Sequence, residues 1–205
     1  MEILRIMLQN WINSTDIWKI LEIAAVIFSI ISVILTYFNK VSLYLFGILA
    51  TAIYIFIFMH PSHKLYAEGG LNFYYFIMSI WGWWQWESGA NKSVLKISSS
   101  NSKDFKITLS IALISFVLIL LILKNFTDSD VPYFDSSIAA FAWAATWLLT
   151  KRKLEYWIWI NISNAIAIPL LFYKGLYPTV GLTIFQFIMA ILGYLKWKKI
   201  INSTK

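Results

Sequence analysis

Asn72, Tyr75, Ser79, Gly82 and Trp86 recur every three or four residues in an apolar stretch, so on a helix they share one face. Thr183, Gln186, Ala190, Gly193 and Trp197 form a second stripe, each 111 positions after its counterpart. Trp157, Asn161 and Asn164 lie on one face of a third segment, with Asn164 near its centre. These side chains offer amide, hydroxyl, phenol and indole groups, which can hold a flat polar solute by hydrogen bonds and ring stacking. Two related stripes at membrane depth suit walls of a shared aqueous cavity, and tight helix packing is the competing reading. Packing suits the glycines, whereas a ligand site is favoured for Asn72, Tyr75 and Gln186. In the run Trp81-Gly82-Trp83-Trp84-Gln85-Trp86, Trp83 and Trp86 share a face with Ser79 and are the rings expected to stack on a flat or cationic ligand.

Covalent chemistry finds no support. The chain has no cysteine, no phosphate-binding or nucleophile motif, and no membrane-depth pair of carboxylates for acid–base work or ion coupling. Neither an enzyme nor a cofactor is indicated. His60 and His63 flank Pro61 without further metal ligands nearby, so a solvated loop is expected and no metal. Asp135 opens a helix after Pro132-Tyr133-Phe134, where it suits the helix dipole as a cap; its functional reading is a gate or a structural hydrogen bond.

The elements that must carry these residues are membrane helices. Of 205 residues 60% are hydrophobic and 13% charged, with mean hydropathy +0.69, a composition that belongs in a lipid bilayer. Spans of roughly 17–25 apolar residues fall at 20–38, 42–59, 66–86, 107–123, 132–150, 155–173 and 176–197. The net charge of +7 comes from loop cations and gives no argument for nucleic acid. Twelve Lys and Arg lie on the side carrying the C-terminus and five on the other, which predicts a cytoplasmic C-terminus and an N-terminus outside. Ile3, Leu4, Met7, Leu8 and Trp11 have the spacing of an interfacial helix, against the alternative of a frayed terminus. Pro169 is placed to bend the sixth span.

Segment 65–86 aligns without gaps on 176–197, with 10 of 22 positions identical. Extended backwards, spans one to three correspond to five to seven and leave the fourth as a linker. The expected fold is an all-α membrane protein of seven transmembrane helices in a 3+1+3 parallel repeat. A single membrane domain, 1–205, then divides into a first repeat at 17–87, a loop and linker helix at 88–130, and a second repeat at 131–199. The polar stretch from Ser88 to Lys106 reads as a flexible loop.

The chain resembles the Pnu vitamin transporters, and among them the PnuC-type nicotinamide riboside transporters. The likeness is carried by Phe46-Gly47, Leu65-Tyr66, the Trp81–Trp86 cluster, Pro132-Tyr133-Phe134-Asp135-Ser136, Trp157 with Asn164, and Gly175-Leu176-Tyr177 running to Gly193 and Trp197. Trp81 departs from the tyrosine usual before Gly82 in that family. The resemblance implies a SWEET-like fold in a bacterial cytoplasmic (inner) membrane. It implies facilitated diffusion of a small-molecule vitamin, trapped by a cytoplasmic kinase. Asn72, Tyr75, Asn164, Gln186 and Trp83 or Trp86 would then line the substrate site. A thiamine transporter on the same fold and a non-transporting membrane scaffold are the alternatives, and a homo-oligomer is compatible with this shape.

Overall fold

The structure, a computed structural model, describes residues 17–60, 66–87, 95–127, 129–173 and 177–203. Seven helices are present among them: α1 Ile17–Tyr37, α2 Leu43–Met59, α3 Tyr66–Glu87, α4 Ser102–Phe126, α5 Pro132–Thr150, α6 Tyr156–Tyr173 and α7 Tyr177–Ser203. The amphipathic segment expected before residue 16, and His63, lie outside the described residues. Ile20–Tyr37, α4, α6 and Val180–Ser203 are each long and apolar enough to cross a membrane, and α2 is a shorter apolar helix. The remaining two, α3 and α5, carry more polar and aromatic side chains and pack against each other.

Among the described residues, α1 packs on α2, α2 on α3, α3 on α5, α5 on α6, α6 on α7, and α7 back on α1. Six helices thus close a ring, while α4 touches α5 alone. With three neighbours, α5 is lined by buried small residues, including Ala139, Ala140, Ala142, Ala144 and Ala145, which let helix backbones approach closely.

Helices α1 and α5 end in the same way. The N–H of Asn39 bonds to the Thr36 carbonyl and that of Lys40 to Leu35, while Arg152 bonds to Leu149 and Lys153 to Leu148. Both sets are Schellman caps, with Asn39 (φ 57°) and Arg152 (φ 54°) in the left-handed position usually given to glycine. Every partner in the second turn lies 113 residues after its counterpart in the first.

A second echo joins the helices that follow. Gly82 of α3 faces the Tyr44 ring of α2, and Gly193 of α7 faces the Trp157 ring of α6, each so closely that a Cβ would overlap the ring. Trp86 meets Tyr44 edge-on at 5.2 Å, and Trp197 meets Trp157 edge-on at 5.6 Å. Trp86 and Trp197 then touch each other, with centroids 6.3 Å apart. This aromatic core sits at the end of the bundle that bears the two Schellman turns, here called the basic end.

The expectation of a flexible loop through Lys106 is corrected over residues 95–106. Ser98 exchanges backbone hydrogen bonds with Arg152 and Leu154, and the N–H and hydroxyl of Ser100 both donate to Glu155 Oε2, at 2.8 and 2.6 Å. Helix α4 already begins at Ser102, where Asn101 and Asp104 form a reciprocal capping box. Hydroxyls and amides that read as loop-formers in the sequence are consumed here by capping and backbone pairing.

Candidate functional site

A polar side chain inside an apolar helical bundle normally finds a hydrogen-bond partner, because stranding it costs about 1–3 kcal/mol. Four donors and one acceptor break that rule among the described residues: Trp143 Nε1, Trp157 Nε1, Trp197 Nε1, Asn164 Nδ2 and Asn161 Oδ1. Trp157 and Trp197 belong to the aromatic core at the basic end. Asn161 lines a groove between α6 and α7, of about 390 Å³, together with Trp157, Phe187, Ala190 and Tyr194. Its rim carries the exposed side chains of Ile158, Ile162, Ile191 and Leu195, so the groove lies on the outer surface of the bundle.

Asn164 and Trp143 remain, on the adjacent helices α6 and α5. Asn164 is 6% exposed. The Trp143 ring lies 4.2 Å from that of Tyr74 on α3, with 17° between planes, and the Tyr74 hydroxyl donates to the Trp143 carbonyl at 3.0 Å. The Tyr75 ring meets that of Tyr74 edge-on, with centroids 5.8 Å apart. Ser163 donates to the Ile138 carbonyl at 2.8 Å, which sets the register of α6 against α5. Asn164 is therefore level with Ile138, and Trp143 lies five residues nearer the basic end, roughly 7 Å along the axis at 1.5 Å per residue. Trp143 Nε1 and the Tyr74–Trp143 stack lie where α3 packs on α5, and Asn164 Nδ2 is on α6, which packs on the same helix α5. Such an arrangement can hold a flat ring and hydrogen-bond acceptors some distance from it.

The structure divides the stripe on α3. Asn72 and Tyr75 are half-buried in its outer half. Ser79 instead points at α2, its Oγ 3.2 Å from where a Cβ on Gly47 would stand. Trp86, 3% exposed, donates its indole N–H to the Leu149 carbonyl at 3.1 Å, beside the Tyr44 hydroxyl, which donates to the same oxygen at 3.3 Å. Trp83 is half-buried against this core, and Trp157, 1% exposed, is part of it. Gln186 is half-buried on α7. The structure thus places Ser79 against α2, Trp86 and Trp157 in the aromatic core, and Asn161 in the outer groove. Asp135 accepts from Ser129 Oγ at 2.8 Å in the first turn of α5, a contact that staples the approach to the helix. His60 packs its ring on Trp18 at 4.4 Å.

Trp143 and Tyr74 went unselected in the sequence, although Trp143 is the larger of two bulky residues in the run Ala139-Ala140-Phe141-Ala142-Trp143-Ala144-Ala145. A bulky side chain amid alanines on the most enclosed helix is the signal that could have found it. Arg152 was read as a topology cation alone, yet it is 6% exposed.

Comparison with known proteins bears on this geometry. Residues 19–199 match the family described as nicotinamide mononucleotide transporter. Proteins of Escherichia coli (strain K12) and Shigella flexneri, each named nicotinamide riboside transporter PnuC, are 22% identical over 211 residues, covering 90% of this chain and 86% of theirs. The crystal structure of the vitamin B3 transporter PnuC superposes with a TM-score of 0.72 at 20% identity, covering 98% of this chain and 89% of that one.

Proposed function

The chain belongs to the nicotinamide mononucleotide transporter family, and from that membership we propose that it carries nicotinamide riboside across the membrane by facilitated diffusion. As a member of a transporter family with several apolar helices long enough to span, it is a multi-pass membrane protein. In this reading the membrane is the bacterial cytoplasmic membrane, the basic end faces the cytoplasm, and a kinase there phosphorylates the riboside and prevents its return. The repeated Schellman turns and glycine–aromatic seats support a 3+1+3 plan with two equivalent three-helix units.

The observation that carries the proposal is the pair of unpartnered donors on the packed helices α5 and α6, Trp143 Nε1 and Asn164 Nδ2, the first of them on a ring stacked with Tyr74. Nicotinamide riboside is a pyridinium ring joined to a ribose. Its cationic ring suits aromatic faces, and its carboxamide and hydroxyl oxygens supply acceptors. Among the described residues the acidic side chains lie in connections, in the first two turns of a helix or in its last turn, an arrangement that offers no mid-helix carboxylate for ion coupling. This supports passive movement down a gradient, maintained by the kinase.

Titration calorimetry on the purified protein, comparing nicotinamide riboside with thiamine, tests the substrate, and flux into vesicles with and without a proton ionophore tests the mode. Saturable riboside binding with ionophore-insensitive flux is the expected result. Binding of thiamine alone would transfer the protein to another vitamin, and no binding of either would remove the substrate assignment.

A further inference from the structure

Arginine is an unusual choice for the left-handed cap of a helix. A side chain there is strained by about 1–2 kcal/mol, and glycine would serve the backbone better. Arg152 is nevertheless in that position, buried, and without a carboxylate partner among the described residues. Its Nε donates to Asn39 Oδ1 at 2.7 Å and its Nη2 to the Asn39 carbonyl at 3.2 Å, while Nη1 donates to the Leu95 carbonyl. The guanidinium lies 4.0 Å over the Trp86 ring. All of these partners precede α4 in the chain, whereas Arg152 follows it.

Other contacts at the basic end join the same two halves. Lys196 of α7 sits 4.0 Å over the rings of Tyr37 and Phe38, Lys151 is 5.5 Å from the Trp81 ring, and Trp86 touches Trp197. Cations held by rings, amides and carbonyls are attached through neutral partners. Such contacts are weaker than a buried ion pair, whose separation leaves an uncompensated charge. A contact that must open and reclose is better built this way.

We infer that Arg152 is the positioning residue of a cytoplasmic latch: bound to Asn39, Leu95 and Trp86 it holds the two halves together and closes the pathway, and its release lets substrate out. Its function rests on the transport reading above. Its existence does not, because the closure can be read without substrate.

The chain contains no cysteine, so spin labels at Lys40→Cys and Lys153→Cys report the gap between the two Schellman turns by pulsed electron resonance in lipid nanodiscs. The parent should show a single short distance. Arg152→Gly keeps or improves the backbone cap and removes the latch; a second, longer distance should become the larger population. Asn39→Asp gives the guanidinium a carboxylate and should act oppositely, keeping the short distance while slowing riboside flux about tenfold, the difference between a neutral and a charge-assisted contact. If Arg152 merely terminates α5, Arg152→Gly will leave the distance and the flux as in the parent, and the latch is overturned. Should Arg152→Gly fail to fold, Asn39→Asp decides alone, since unchanged flux in a protein that transports the riboside overturns the latch equally. If the parent transports no riboside, the substrate assignment fails, and the label distances in Arg152→Gly, or in Asn39→Asp against a parent that samples the longer distance, still judge the latch.

Discussion

The Tyr74 hydroxyl donates to the main-chain carbonyl of Trp143, 3.0 Å away, while the two rings stack at 4.2 Å. One side chain of α3 is thereby bound to both the backbone and the ring of α5, at the crossing where the halves of the molecule meet. Removing only the hydroxyl, in Tyr74→Phe, should lower stability by about 1 kcal/mol, the usual worth of such a bond, and preserve the stack. Thermal unfolding in detergent, with riboside affinity measured in parallel, checks that the two effects separate.

Asn164→Leu is expected to move stability and binding in opposite directions. The Nδ2 group has no partner among the described residues, so replacing the amide with a side chain of similar volume removes a desolvation cost of about 1–3 kcal/mol. The unfolding midpoint should rise, while riboside affinity should fall by about ten- to a hundredfold for the lost hydrogen bond. Calorimetry and thermal unfolding on one preparation suffice, and a midpoint that falls would mean that Asn164 supports its neighbours.

Ser79→Ala should leave riboside affinity within about twofold of the parent, because the hydroxyl faces Gly47 of α2 and not the α3–α5 contact. A large loss would return the lower half of the α3 stripe to the binding surface.

Gly82→Ala and Gly193→Ala should each destabilise the protein by about 1–3 kcal/mol, as overpacking of a close contact does. The added methyl meets the rings of Tyr44 and Trp157, which are themselves wedged against Trp86 and Trp197. Gly181→Ala, where a Cβ meets nothing within 4 Å, is the control expected to be neutral or slightly stabilising. Yield of monodisperse protein and the unfolding midpoint give the comparison.

The helices were legible in the sequence because hydrophobic stretches long enough for a bilayer leave little freedom, and Pro132 marks the start of α5 to the residue. The equivalence of α3 and α7 was legible because Gly82 and Gly193 must both admit a ring, and that demand preserves residue type. The equivalence of the Asn39 and Arg152 turns was not, since a Schellman cap is built from backbone groups and leaves the side chains unlike. Helical spacing likewise identified a stripe on α3 without saying which neighbour it met. Asn72 and Ser79 share a face in projection, but α2 takes the Ser79 end through Gly47. Trp143 was missed because periodicity among alanines carries no polarity contrast, and its importance arises only when Tyr74 arrives from 69 residues away.

Asn39 and Arg152 occupy the same place in two turns of the same geometry, and they touch each other. Were the halves identical chains related by a two-fold axis, this contact would join a residue to its own copy. Two arginines would oppose like charges in a buried place, and two asparagines would leave it without a cation. The interaction is available only to unlike halves, so on the proposed 3+1+3 plan covalent fusion through α4 permits something a symmetric dimer of one unit cannot: a donor and an acceptor at a position that symmetry would force to be the same residue.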